Sequence, residues 1–157
     1  MNIAVIGSGG REHALCYKLK KSNKISNIIC VPGNAGTKKI AQNISADITN
    51  FENLYKIFLE NKIDLIVVGP ENPLVDGIVD FFNVKKIKIF GPNKIASKLE
   101  GSKAFLKNLC KKNNIPTANF GIFDDLDNAK KFIFDSKIPI VVKADGLAAG
   151  KGVTICE

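Results

Sequence analysis

The sequence contains no apolar run that approaches the ~20 residues needed to span a bilayer. It also lacks the charged region and long apolar core of a secretion signal, because a β-branched run begins at residue 2. These two absences argue against a membrane-spanning segment and against a secreted precursor. We therefore expect a soluble, cytoplasmic protein with no membrane partner.

Metal-binding and disulfide patterns are missing as well. No two of the four cysteines form a C-x-x-C pair, and His13 is the only histidine. A zinc site needs closer ligands than these. Cys16, Cys30 and Cys110 lie inside apolar segments, which favours buried free thiols in a reducing compartment.

Acidic residues are scarce, since 15 Asp and Glu oppose 23 Lys and Arg and leave a formal net charge of +8. The lysines are scattered over the polar faces of predicted helices and are not interleaved with aromatic residues on one surface. This distribution favours a lysine-rich surface over a nucleic-acid footprint. We expect no nucleic-acid partner.

Arginine is rarer still, because Arg11 is the only one, and it directly follows Gly9 and Gly10. A guanidinium binds phosphate or carboxylate through a planar fork that lysine cannot copy. Two interpretations of Arg11 stay open at this point: an anion ligand, or a surface residue at the start of a helix.

Short β-branched runs alternate with helical patterns over the first hundred residues. This alternation is typical of a parallel sheet with helices on both faces. We expect an α/β fold with a Rossmann-like, doubly wound parallel sheet, in which ligands bind at the carboxyl ends of the strands. Strands are predicted near residues 2–7, 26–31, 64–68 and 87–90.

The clearest predicted helix lies between the second and third strands. Its apolar residues recur at i, i+3, i+4, i+7 and i+8, namely Phe51, Leu54, Tyr55, Phe58 and Leu59. Thr49 and Glu52 have the spacing of a capping box at its start. Two more helices are predicted, one over residues 74–82 and one over residues 11–21 with an inner face of Ala14, Leu15 and Leu19.

The pattern changes after Pro92. Helices are predicted near residues 94–99, 103–112 and 126–134, and strands near residues 119–123 and 140–143. We place a domain boundary near Glu100, which gives one domain over residues 1–100 and the beginning of a second over residues 101–157.

The first glycine-rich turn joins the first strand to the first helix and resembles a dinucleotide fingerprint, G-x-G-x-x-G. Glu12 stands where the third glycine belongs, and a carboxylate there would repel a pyrophosphate, which disfavours a hydride-transfer enzyme. The remaining interpretation is a single-phosphate site formed by the Gly9 and Gly10 backbone, the helix N-terminus and Arg11. Glu12 would then face neutral or cationic parts of the ligand. A tight turn without a ligand explains the glycines but not the arginine.

Two further turns are predicted at the same edge of the sheet. The segment Pro32-Gly33-Asn34-Ala35-Gly36-Thr37 ends the second strand with small residues that expose backbone donors, as a shared phosphate or ribose site or an ordinary turn would. Glu71 follows the strongest apolar strand. Its carboxylate is suited to accept hydrogen bonds from vicinal sugar hydroxyls, or it simply complements a helix dipole.

The last glycine-rich segment begins at Lys143. It fails the Walker A pattern, G-x-x-x-x-G-K-S/T, because only three residues separate Gly146 from Gly150, and Gly152 stands where Ser or Thr should be. We predict a flexible flap between two antiparallel strands that closes over a triphosphate, with Lys143 reaching the same phosphates. A structural hairpin with a long turn is the alternative.

Together these segments resemble the glycinamide ribonucleotide synthetase (phosphoribosylamine–glycine ligase) family of the ATP-grasp superfamily. The resemblance covers the whole chain and is carried by residues 7–14, 32–37, 68–71, 99–105, 115–118 and 143–153. It implies a pre-ATP-grasp domain over residues 1–100 followed by the truncated start of an ATP-grasp domain over residues 101–157.

The resemblance further implies a carbon–nitrogen ligase of purine biosynthesis, whose partners are small molecules: 5-phosphoribosylamine, glycine and ATP. It assigns the sugar phosphate to Gly9, Gly10, Arg11, Glu12, Pro32, Gly33, Asn34, Ala35, Gly36, Thr37 and Glu71. It assigns ATP to Lys103, Lys143, Gly146, Leu147, Ala148, Ala149, Gly150, Lys151 and Gly152.

Members of this family are more than twice as long, and the remaining part is expected to carry the adenine pocket and the ligands of Mg²⁺ or Mn²⁺. No catalytic residue and no metal ligand is therefore assigned in this segment. We expect a fragment that is inactive by itself and leave its oligomeric state open. The alternative function is a non-catalytic module that binds a sugar phosphate or a nucleotide.

Overall fold

The computed structural model describes residues 1–148 and 150–157. The chain folds as two compact units, Met1–Ser97 and Lys98–Glu157. The domain limits at residues 1–100 and 101–157 stay a prediction. Within the described residues, no helix is both long enough and apolar enough to cross a membrane.

The first unit is built on a five-stranded parallel sheet of order β3-β2-β1-β4-β5, which confirms the predicted doubly wound fold. Its strands are β1 (Asn2–Gly7), β2 (Asn27–Pro32), β3 (Gln42–Asn43), β4 (Leu65–Val68) and β5 (Lys88–Phe90). Its helices include α1 (Gly10–Lys20), α2 (Phe51–Glu60), α3 (Glu71–Asp76) and α4 (Ile78–Val84), with a 3₁₀ turn at Thr37–Lys39. The sequence did not predict β3, because two residues are too few for an alternating pattern.

Strand β1 occupies the centre of this sheet and is buried on both faces. Ala4 and Ile6 belong to a core that includes side chains of α2 and α4, whereas Ile3 and Val5 pack with α1. Helices on both faces exclude water from the strand, which accounts for its unbroken apolar run. Each fully buried aliphatic side chain of this kind stabilises the fold by about 1.5–3 kcal/mol. The core packed on both faces therefore holds the carboxyl end of β1 in place.

Helix α1 differs from its prediction on the inner face. Leu15 and Leu19 pack against the core as expected, but Ala14 is exposed, and Glu12 and Cys16 are buried instead. The helix runs over Gly10–Lys20, and Glu12 and Cys16, which are four residues apart and so share a face, are its buried residues.

Helices α2 to α4 also require corrections. Asn50 rather than Thr49 caps α2, since its side chain accepts the N–H of Asn53 while Thr49 bonds to Asp47. Leu59 is exposed, as the helix turns it away from the core. The single helix predicted over residues 74–82 is broken at Gly77, whose φ of +99° ends α3 in the left-handed region.

The second unit contains α6 (Lys103–Lys112), α7 (Leu126–Asp135) and the antiparallel strands β6 (Ile140–Lys143) and β7 (Val153–Cys156), while α5 (Lys94–Gly101) runs across the division. The strand predicted over residues 119–123 is wrong, and the structure describes all five residues as irregular. Phe123 instead packs against Phe132 of α7, with 5.1 Å between the ring centroids, so this segment folds onto the helix.

The predicted thiol state is confirmed for the cysteines in the body of the chain. Cys16, Cys30 and Cys110 are buried and free, and Cys156 is free and half-buried.

Candidate functional site

Three loops meet where β1, β2 and β4 end, at the point where the strand order of the sheet reverses. Strand β1 lies between β2 and β4, and the chain proceeds outward on one side through β3 and on the other through β5. In open sheets of this kind the crevice at the reversal is the usual ligand site. The backbone binds the loops together, because Gly33 donates its N–H to Gly7 at 3.1 Å and Gly69 donates to Ile6 at 3.0 Å.

Glu12 lies beneath the first loop rather than facing outward. Its carboxylate accepts the N–H of Gly9, and the residue is only 4% exposed. A Cβ atom at Gly7, Gly9 or Gly69 would collide with this carboxylate or press closely on it. The expectation that Glu12 faces parts of a ligand is therefore wrong in this structure. The glycines leave room for an internal carboxylate, which also occupies one of the amides expected to face a phosphate.

Arg11 joins the loop after β1 to the loop after β4. Its guanidinium donates to the carbonyl of Gly69 and, from both terminal nitrogens, to Oε1 of Glu71 at 3.0 Å. The pKa of Glu71 lies below its ordinary value because its own backbone N–H, and then the Arg11 guanidinium, stabilise the charged carboxylate. The side chain of Arg11 is still 59% exposed, so the ion pair contributes only about 0–1 kcal/mol to stability.

Asn34 joins the loop after β2 to the loop after β1. Its Nδ2 donates to the carbonyls of Ser8 at 2.8 Å and Gly9 at 3.1 Å. Its Oδ1 accepts the N–H groups of Gly36 at 2.7 Å and Thr37 at 2.9 Å. All four hydrogen-bonding positions of the amide are used, so the side chain holds the two loops in register.

Thr37 and Asn43 hold Asn34 in place through further hydrogen bonds. Thr37 is fully buried, and its hydroxyl bonds to Oδ1 of Asn43 at 2.8 Å. Asn43 in turn donates to the carbonyl of Asn34 at 2.7 Å and fills the space beside Gly33, whose φ is +75°. Asn43 was not predicted from the sequence, because nothing in a two-residue strand marks one amide as part of a network.

The other predicted residues of this site fall in the same region. Pro32 is half-buried at the end of β2, and Ala35 is exposed. Gly36 lies against the imidazole of His13, where a Cβ atom would come within 2.7 Å of the ring. Ser8, Gly9 and Gly10 are exposed. The site thus presents a guanidinium beside exposed glycine backbone, an arrangement that suits a phosphate group.

The predicted ATP-binding residues lie in the second unit, around the β6–β7 hairpin. Strand β6 ends at Lys143, which pairs with Val153, and Ala144 donates its N–H to the carbonyl of Gly152 at 2.8 Å. The antiparallel pairing predicted on either side of the flap is confirmed. The backbone N–H of Lys151 donates to the carbonyl of Ala148 at 2.8 Å, and Leu147 is exposed. Ala149 lies outside the described residues.

The glycines of this flap have two different roles. Gly146 and Gly150 have φ of +83° and +76°, and a Cβ atom at either would meet open space. Gly152 instead permits close packing, since a Cβ atom there would lie 2.8 Å from Cβ of Ala148. The flap therefore has a tightly packed stem and an open, glycine-lined tip.

Lys103 is connected to this stem. Its Nζ donates to the carbonyl of Gly146 at 2.7 Å, and its backbone N–H donates to Oδ1 of Asp145 at 2.6 Å. Asp145 was not predicted as part of the site, although it lies between two predicted ligands, Lys143 and Gly146. Among the described residues, no group of three or more His, Cys, Asp or Glu side chains is placed to hold a metal ion.

Solved structures of other proteins share this architecture. The phosphoribosylamine–glycine ligase of Thermotoga maritima superposes with a TM-score of 0.77 and 35% identity, over 99% of this chain and 36% of that one. An N5-carboxyaminoimidazole synthetase from Staphylococcus aureus, complexed with ADP, gives a TM-score of 0.76 over 98% of this chain and 40% of that one. Its 19% identity shows the fold alone.

Sequence comparisons agree along the whole chain. Phosphoribosylamine–glycine ligases from Mesorhizobium japonicum and Clostridium acetobutylicum are 50% and 48% identical, over 99% and 100% of this chain. The chain spans 36% and 38% of the length of these two relatives. The family model "Phosphoribosylglycinamide synthetase, N domain" matches residues 1–100, and "Phosphoribosylglycinamide synthetase, ATP-grasp (A) domain" matches residues 101–157. The chain belongs to the phosphoribosylglycinamide synthetase family.

Proposed function

We propose that this chain supplies the phosphoribosylamine-binding surface, and part of the ATP-binding surface, of a phosphoribosylamine–glycine ligase. The observation that carries the proposal is the junction of three strand-end loops, which Arg11 and Asn34 tie together at the reversal of the strand order. A sugar phosphate is the ligand that suits a guanidinium, glycine backbone and a neighbouring carboxylate. A cytoplasmic location, expected from the sequence, accompanies this proposal.

The roles of the site residues follow from their contacts. Arg11 and the exposed backbone of Gly10 bind the phosphate, since the side chain of Arg11 is 59% exposed and its position is set by Gly69 and Glu71. The N–H of Gly9 is already taken by Glu12, so Gly9 contributes by shaping the turn. Both nitrogens of Arg11 reach Oε1 of Glu71, so Oε2 is the oxygen that we assign to the sugar hydroxyls. Asn34 and Glu12 act indirectly, because their polar groups hold the loops that carry these ligands.

The proposed reaction joins glycine to 5-phosphoribosylamine in two steps. The carboxylate of glycine attacks the γ-phosphorus of ATP and releases ADP, and the amine of the sugar then displaces phosphate from the acyl phosphate to form the amide. Such chemistry depends on positioning and on neutralising the charge of phosphoryl oxygens. We assign Lys103, Lys143 and the backbone of Gly146 and Gly150 to the phosphates of ATP.

The metal of the family has no proposed ligand in this chain. Mg²⁺ and Mn²⁺ prefer clustered oxygen ligands, and the described residues offer no such cluster. We therefore assign neither ion to a residue here and derive no step through one.

Calorimetric titration with ribose 5-phosphate tests the sugar-phosphate site. Loss of hydrogen bonds from a charged donor is expected to weaken binding about 10- to 100-fold in Arg11→Ala. Lys18→Ala is the matched control, because it removes an exposed positive charge from the same helix without reaching the loops. Equal affinities of the two variants, or no binding by the unaltered chain, would contradict the proposal.

The nucleotide half is tested separately by titrating the ¹⁵N-labelled chain with ATP. We expect the amide signals of Gly146 and Gly150 to shift and the shifts to weaken in Lys103→Ala. Shifts confined to the first unit would contradict the assignment of ATP to the flap.

A further inference from the structure

The first turn of α6 is capped by a residue that lies 42 positions away along the chain. Asp145 accepts, through Oδ1, the backbone N–H of Lys103 at 2.6 Å and that of Ala104 at 3.3 Å. Its Oδ2 accepts the hydroxyl of Ser102 at 3.0 Å. Ser102 completes the turn by accepting the N–H of Phe105 at 3.1 Å.

Physical chemistry explains why this contact is favourable. The first amides of a helix have no partner within the helix, and a negative charge placed there is stabilised by the helix dipole. A local Asp or Ser usually satisfies these amides. Here Ser102 takes one amide and the distant Asp145 takes two, so the cap also connects α6 to the start of the flap.

A second connection between the same two segments is made by the side chain of Lys103. Lys103, the first residue of α6, donates from Nζ to the carbonyl of Gly146, the residue after Asp145. Lys103 thus donates its backbone N–H to the Asp145 side chain and its Nζ to the Gly146 backbone. These two bonds hold the chain just after β6, two residues beyond Lys143, against the helix end that carries Lys103.

We propose that Asp145 is a positioning residue, which fastens the stem of the flap to the first turn of α6 so that Lys103 and the flap backbone face the phosphates of ATP together. The nucleotide in this proposal is taken from the proposed function, whereas the connection between the flap and α6 is argued from the hydrogen bonds alone. Asp145 itself does not bind the phosphates, because a carboxylate would repel them and its oxygens are engaged by Ser102, Lys103 and Ala104.

The electrostatics of Asp145 agree with this role. Desolvation raises its pKa, but the hydrogen bonds from the backbone of Gly146, Ala104 and Lys103 and from the Ser102 hydroxyl outweigh it, and the pKa lies below the ordinary value. The carboxylate is consequently charged, and the link is formed, throughout the neutral range.

Hydrogen exchange measured residue by residue tests the link. In Asp145→Ala we expect the amides of Lys103 and Ala104 to exchange about tenfold faster, as on loss of a helix cap. The decisive readout is Ala144, whose N–H bonds to Gly152 within the stem and should exchange several-fold faster in the same variant. Asp145→Asn retains acceptor oxygen and should restore part of the protection at both places.

The hydrogen-exchange measurement also provides the control variant and the outcome that would contradict the proposal. Asp127→Ala removes an exposed carboxylate from the first turn of α7 and should leave all of these amides unchanged. Faster exchange at Lys103 and Ala104 without any change at Ala144 would reduce Asp145 to a simple helix cap and overturn the proposal. Protection of the amides of Leu109 and Cys110 at the far end of α6 verifies that the variant remains folded.

A nucleotide titration distinguishes failure of this proposal from failure of the proposed function. If the unaltered chain binds ATP, Asp145→Ala should weaken binding about tenfold and Asp145→Asn less, and unchanged affinity would overturn the positioning role. If the unaltered chain does not bind ATP, the proposed nucleotide site fails, while the exchange experiment still decides whether Asp145 links the two segments.

Discussion

Replacing Asn34 with alanine should destabilise the first unit more than any comparable change of an exposed asparagine. The variant loses four hydrogen bonds of 2.7–3.1 Å, of which two join the loop after β2 to the loop after β1 and two lie within the loop after β2. A neutral hydrogen bond contributes about 0.5–1.5 kcal/mol net, and Asn34 is half-buried, so water replaces part of each bond. Values near the lower end of that range give an expected loss of about 2–3 kcal/mol in the free energy of unfolding.

Asn34→Asp separates the two halves of this network. The carboxylate still accepts the N–H groups of Gly36 and Thr37, but it cannot donate to the carbonyls of Ser8 and Gly9. We expect at least half of the alanine effect, about 1–2 kcal/mol, because oxygen then faces oxygen across the junction. Asn27→Ala, at an exposed position of β2, is the matched control and should change stability by no more than about 0.5 kcal/mol.

Urea unfolding followed by tyrosine fluorescence is suited to this measurement. The sequence contains no tryptophan and only two tyrosines, Tyr17 and Tyr55, and both lie in the first unit. The signal therefore reports the unit that contains Asn34, and its midpoint should fall by about 1–2 M urea in Asn34→Ala. A midpoint unchanged in Asn34→Asp would refute the reasoning, since the bonds between the loops would then contribute nothing.

Three further predictions concern other parts of the chain. Gly69→Ala should cost about 1–3 kcal/mol in urea unfolding because its methyl group would collide with the buried carboxylate of Glu12, whereas Gly10→Ala, which meets open space, should be nearly neutral; equal effects would contradict this packing. The pKa of Asp145 lies below the ordinary value of 3.8, so its contribution to stability is present above that value and is lost as pH falls through the lowered pKa; a titration midpoint of its carboxyl ¹³C signal at or above 3.8 would contradict the link. Thiol reagents should label Cys156 first and Cys16 only on unfolding, because Cys16 is fully buried and hydrogen bonding to Cys30 together with burial raises its pKa; rapid labelling of Cys16 in the native chain would contradict its burial.

Sheet and loop positions could be predicted because their signals are local. A strand that is buried on both faces is a continuous apolar run, as in β1. The glycine-rich turns follow such runs in the sequence, and parallel strands bring the turns after their carboxyl ends to one edge of the sheet. The same local rules predicted α6 and the two strands of the flap. They failed at Gly77 and over residues 119–123, where a left-handed glycine and the packing of Phe123 on α7 override the pattern.

The sequence by itself thus determined the family, most of the strands and helices and the loops that carry the candidate site. Only the tertiary structure decided what individual polar side chains do there. Glu12 is an internal support rather than a ligand, Asn34 is a bridge between loops, and Asp145 caps a helix that begins 42 residues earlier. The physical reason is that a carboxylate or an amide bonds to whichever donor the fold brings within about 3 Å, and for these residues the partners are set by chain segments that the local pattern does not connect.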